Sequence, residues 1–111
     1  MPDPTVKSSG TQTAVITTEH TLLDTADPGT YQLQVNLVNM VNDDEVEIRI
    51  YTKVLSGDSY GVAFMEPRKH AQGADGEILV SPPLMVPTDA KFTLKQVAGT
   101  GRDFKWSVSE A

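Results

Sequence analysis

Three stretches of the chain carry residue types whose spacing could do chemistry. Gly99-Thr100-Gly101-Arg102 sets two glycines beside a cation, as a phosphate-binding loop does. Gly57-Asp58-Ser59-Tyr60-Gly61 fits the G-x-S-x-G pattern of hydrolase nucleophile elbows. Asn42-Asp43-Asp44-Glu45-Val46-Glu47 concentrates carboxylates, and His20 and His70 are the two imidazoles. Each chemistry makes a demand on its surroundings. A phosphate cradle needs a helix starting directly after the glycines, so that free N–H groups and the dipole face the anion. Alternating patterns precede Gly99 and follow Arg102, so this segment is expected to be a hairpin bend. The elbow needs strand, turn and helix, with an acid and then a histidine later. The residues after Ser59 alternate like a strand and no Asp separates Ser59 from His70, so Ser59 reads as a turn residue. The acidic run lacks the D-x-[DN]-x-[DN]-G order of a calcium loop and is expected to be a solvated turn. The histidines lack zinc-ligand spacing. No catalytic residue, metal or cofactor is expected, and the chain reads as non-enzymatic.

The elements that position these residues follow a period of two. Tyr31, Leu33, Val35 and Leu37 alternate with Thr30, Gln32, Gln34 and Asn36, the pattern of a half-buried strand. Val46, Ile48, Ile50, Thr52 and Val54 oppose Glu45, Glu47, Arg49, Tyr51 and Lys53. Tyr60, Val62 and Phe64 continue the rhythm, as do Phe92 and Leu94, then Phe104, Trp106 and Val108, with Trp106 read as core. Less regular strands are expected at 13–19, 21–25 and 77–81. Asp27-Pro28-Gly29 suits a type II turn. Pro82 and Pro83 cannot donate to a ladder, so their stretch must be an edge or a crossover. No segment has a sustained 3.6-residue period, although 36–43 and 66–72 could each form one helical turn. The expected fold is all-β: a single antiparallel β-sandwich or jelly-roll-like domain of about eight strands over residues 13–111. Residues 1–12 hold too little apolar surface to offset ordering entropy and are expected to form a flexible N-terminal arm.

Composition narrows the function classes. A chain of 111 residues makes one ordinary domain. With no cysteine it has neither a disulfide scaffold nor a thiolate metal site. A net charge of −6 repels phosphate backbones and anionic lipid, so neither nucleic acid nor membrane is an expected partner. The N-terminus lacks the cationic start and apolar run of a signal peptide, which suggests synthesis in a cytoplasm. Candidate contact residues remain. Pro2, Pro4 and Val6 would lie on the arm, which could order against a partner. Tyr51 is an aromatic directed outward among Glu47, Arg49 and Lys53. Arg68, Lys69 and His70 form the one basic cluster, able to steer docking onto an acidic neighbour or simply to keep a strand end soluble.

The runs VEIRIYTKVLSGDSYGVAF, VSPPLMV and FTLKQVAGTGRDFKWSV complete the reading. Over about residues 19–109 the chain resembles a group of small virion proteins of tailed bacteriophages that end in a T-L-K-Q-x-x-G-T-G-R-x-F-x-W segment. Among small phage β-sandwich proteins, the role that suits this chain is capsid decoration, or cement. The resemblance implies binding to the major capsid protein on the capsid surface of the virion after synthesis in the host cytoplasm. It also implies homo-oligomers, with a trimer favoured. A tail, fibre or head–tail connector component is the alternative within the virion. A carbohydrate-binding β-sandwich module is the alternative outside it, and would need exposed aromatics in a row.

Overall fold

The structure, a computed structural model, describes residues 5–55, 57–71 and 77–110. Nine strands account for its regular structure: β1 (Thr5–Thr13), β2 (Glu19–Thr25), β3 (Gly29–Asn36), β4 (Glu45–Thr52), β5 (Gly61–Lys69), β6 (Ile78–Val80), β7 (Leu84–Val86), β8 (Ala90–Ala98) and β9 (Asp103–Glu110). They form two antiparallel sheets. One has the order β1-β9-β3-β6, with β7 also paired to β3; the other has the order β2-β8-β4-β5. Among the described residues there is no helix, and the all-β sandwich expected from alternation is the observed architecture.

Alternation explains the core. Leu33 and Val35 of β3, Ile48 and Ile50 of β4, Phe92 and Leu94 of β8, and Phe104 and Val108 of β9 are fully buried between the sheets. Burial of each such side chain contributes about 1.5–3 kcal/mol. Tyr31 of one sheet meets Phe92 of the other edge-to-face at 6.0 Å, a favoured quadrupole arrangement that ties the layers together. Trp106 is half-buried against this core, beneath Gly10 of β1. Pro82 and Pro83 separate β6 from β7, so the double proline does sit at a sheet edge.

Several expectations are corrected. Residues 5–12 are not an arm: they belong to β1, which pairs with β9 from Thr5↔Glu110 to Thr13↔Asp103. The pairing is made by backbone groups, so a segment poor in apolar side chains can still enter a sheet. No strand spans 13–19. Thr13 ends β1, Glu19 begins β2, and between them the chain turns from one sheet to the other, with Thr17 at φ 67°. The segment 36–43 ends β3 and then turns, while 66–69 lies in β5, so neither forms a helical turn. The bend at 99–102 is no hairpin, because β8 and β9 lie in different sheets and the loop carries the chain across the sandwich.

Candidate functional site

The crossing loop owes its shape to a buried carboxylate. Asp44 is 1% exposed, which corrects the expectation of a solvated turn. Its side chain accepts hydrogen bonds from the backbone N–H of Val41 (2.9 Å) and Thr100 (3.2 Å) and from Arg102 Nε (2.9 Å). Burial alone pushes its carboxyl upward, but the Val41 N–H and the Arg102 guanidinium outweigh it and hold the group below the usual aspartate range. Gly99 has φ +91°, and a Cβ there would run into the Asp44 carboxylate. The fully buried Gln96 completes the corner: its amide donates to the carbonyl oxygens of Thr100 (2.7 Å) and Ala98 (3.1 Å) and accepts from the Arg102 N–H (3.1 Å). The cation that suggested a phosphate cradle is therefore held by Asp44, and the corner is a structural clamp.

A second polar constellation lies on the outer face of the four-stranded sheet. Tyr51 of β4 stands opposite Lys91 of β8, which stands opposite Asp24 of β2. Tyr60, just before β5, donates its hydroxyl to Asp24 Oδ1 at 2.6 Å. The two tyrosine rings meet edge-to-face at 6.4 Å. Lys91 Nζ lies 4.6 Å from the Tyr51 ring centre and 5.2 Å from that of Tyr60, and Lys53 Nζ lies 4.8 Å from the latter, within the range of cation–π attraction. Lys53 also faces Asp89 at 3.7 Å. Glu19 of β2 accepts from the Tyr51 hydroxyl and from Thr93 Oγ1, both at 2.6 Å. Burial tends to raise the Glu19 carboxyl, but those two bonds with Arg49 and Lys91 leave it lowered. Burial and the Asp24 carboxylate together push the Tyr60 hydroxyl upward, in keeping with its donating a hydrogen bond to that carboxylate. The result is an amphipathic patch of two aromatics and two cations with their polar edges fixed. Its two tyrosines are of the kind enriched in protein interfaces, whereas its lysines and carboxylates are of the kind found at their polar rims.

The basic cluster is tied to neighbouring carboxylates. Arg68 pairs with Glu66, and Lys69 lies 3.7 Å from Glu45. His70 Nδ1 accepts the Asp43 N–H at 3.1 Å. Tyr51 and Lys69 share the outward face but lie at opposite ends of the β4–β5 pair, whose register runs from Glu45↔Lys69 to Thr52↔Gly61; six residues of strand put them about 20 Å apart. Val6 belongs to the other sheet, where it is 62% exposed on β1, and Pro2 and Pro4 lie outside the described residues. Among the described residues, the structure therefore brings no two of Val6, Tyr51 and the basic cluster together. Tyr60, Lys53 and Lys91 were absent from the sequence-based candidates. Lys53 lies two residues along the same outward alternation, Tyr60 arrives through the β4–β5 pair, and Lys91 through the register of β4 on β8.

Ser59 lies in the turn before β5. Among the described residues, no group of three or more His, Cys, Asp or Glu side chains converges to hold a metal ion. Comparison with protein-family models, with curated proteins and with solved structures finds no match to this chain.

Proposed function

We propose that the chain is a non-enzymatic structural protein of a tailed-phage virion, a decoration or cement protein seated on the outer capsid surface against the major capsid protein. The observation that carries this reading is the treatment of the sheet edges. β1, β2 and β5 each contain a one-residue bulge, at Lys7, Leu22 and Ala63. The fourth edge is split into β6 and β7 around Pro82-Pro83. Bulges, prolines and short segments are the devices that stop exposed strands from pairing with other chains. A protein displayed densely beside copies of itself needs that protection at every edge. The Tyr51–Tyr60 patch with Lys53 and Lys91 is the proposed contact with the capsid protein. A carbohydrate-binding role is less well supported, since these rings meet edge-to-face beneath lysines and offer no flat stacking platform.

With residues 5–12 built into the sheet, a tethering role falls to Pro2 and Pro4. The test of the proposal is the copy number of the polypeptide in purified phage particles, by quantitative mass spectrometry against the major capsid protein. A number equal to that of the capsid protein, or a simple fraction of it, supports decoration. A handful of copies moves the protein to the tail or portal vertex, and complete absence overturns the virion reading.

A further inference from the structure

The two outer faces of the sandwich differ in charge. The outward positions of the four-stranded sheet carry Glu19, Asp24, Glu47, Arg49, Lys91 and Lys95. Those of the five-stranded sheet carry hydroxyls and amides. Ser109 stands opposite Gln32, and Ser9, Ser107, Gln34 and Val80 form one row across four strands. The charges on the outward positions of β9 are confined to one end, at Lys105 and Asp103. Ile78 and Val80 line the β6 edge, about half exposed, and Met85, further along the same side on β7, is 85% exposed. Val6, on the opposite edge strand β1, is 62% exposed.

We infer that the outer face of the five-stranded sheet is a self-association surface, on which two copies of this chain stack face to face about a two-fold axis. Three observations select a second copy as the occupant. The first is charge: a chain of net charge −6 meets its own copy with least like-charge repulsion through a face poor in carboxylates. The second is self-complementarity. Serine hydroxyls and glutamine amides both donate and accept, so a face made of them satisfies its own two-fold image. An axis parallel to the strands also lays the β6 edge of one copy over β1 of the other, with Val80 level with Ser9 and Ile78 level with Thr11. The third is size. The molecule measures 39 × 31 × 19 Å, and the broad face exceeds the roughly 800 Å² that each partner contributes to a standard interface. The interrupted edges direct association onto the faces and away from strand addition. This inference stands apart from the proposed function, and it replaces the three-fold association suggested by the resemblance.

The test is sedimentation equilibrium of the purified full-length chain, from low micromolar to millimolar concentration. The expected particle has twice the 12.0 kDa chain mass, and its association strengthens modestly with salt, which screens the net charge of −6 on each copy while the contact itself is nearly uncharged. Gln34→Glu and Ser107→Glu each place two carboxylates across the axis and should weaken the dimer on the order of a hundredfold. Their unfolding midpoints should stay unchanged when measured at monomeric concentrations. Tyr51→Ala, on the other face, should leave the dimer intact. A wild-type chain that stays monomeric throughout, or that forms a trimer, overturns the inference. So does a dimer that Tyr51→Ala breaks and Gln34→Glu does not. None of these outcomes bears on copy number in particles, so the two proposals can fail separately.

Discussion

Replacing Asp44 by alanine tests the corner where the chain crosses between the sheets. The substitution removes the acceptor of two backbone N–H bonds, from Val41 and Thr100, and the partner of Arg102 Nε. Bonds to a charged acceptor contribute about 1.5–3 kcal/mol each. Here the lower figure applies, because the Val41 and Thr100 residues reach water. Arg102 adds little, since its side chain is 28% exposed and can turn to solvent. The expected loss is therefore about 3 kcal/mol, or roughly 12 °C in Tm for a domain of this size. Urea unfolding followed by the fluorescence of Trp106 measures it. Asp43→Asn is the control: Asp43 is exposed with φ 76°, and asparagine tolerates the left-handed region. A loss below about 1 kcal/mol for Asp44→Ala would falsify the claim that Asp44 organises the corner. The pH dependence has a definite sign. The folded-state pKa of Asp44 is depressed, so its contribution is complete above the ordinary aspartate range and is lost as pH falls through the lower folded value. Asp44→Asn should therefore flatten the loss of stability below about pH 4.

Three other substitutions follow from the same geometry. Gly99→Ala combines φ +91° with a Cβ 2.8 Å from Asp44 Cα and should cost at least about 2 kcal/mol in urea unfolding; a neutral result would mean that the loop relaxes freely. Tyr31→Phe removes the hydroxyl that donates to the Asp27 carbonyl oxygen at 2.5 Å, and should cost about 1 kcal/mol while leaving the rest of the core unchanged. Replacing Pro67 and Lys69 together by threonine strips the β5 edge of a proline and a charge. Light scattering should then rise with concentration and time; an unchanged signal would assign the edge protection to the Ala63 bulge alone.

The strands that the sequence makes legible are those with one face in the core. β3, β4, β8 and β9 alternate because every second side chain is buried, and burial is a local record of which way a residue points. β1 leaves no such record: its pairing depends on backbone groups that every residue has, and its packing is largely Gly10 over Trp106. Sheet membership is equally silent. Gly99 and Gly101 announce a bend, but whether the chain returns to the same sheet depends on what meets the bend. Gly101 lies against the Ala14 carbonyl and Gly99 against Asp44, residues far away in sequence. Asp44 resembles its exposed neighbour Asp43 in the sequence, and only the arrival of Thr100 and Arg102 buries it. The Tyr51 patch was half visible for the same reason, since Lys91 joins it through the register of β4 on β8.

The same corner accounts for how a sandwich without cysteine holds one end closed. Three connections and the end of β5 meet there. The Ala14 N–H bonds the Arg102 carbonyl oxygen at 2.9 Å, the Thr17 N–H bonds that of Gln96 at 2.8 Å, and the His70 N–H bonds that of Asp44 at 2.7 Å. Each bond joins segments remote in sequence, and Asp44, Gln96 and Arg102 satisfy the groups left between them. Asp44 and Gln96 are buried, whereas Val41, Thr100 and Arg102 reach water, so losing one buried group costs its bonds but leaves most of its partners able to hydrate. Closure by a polar clamp at the end of the sandwich leaves both broad faces clear of crossing connections here, and it is those faces that carry the two proposed contacts.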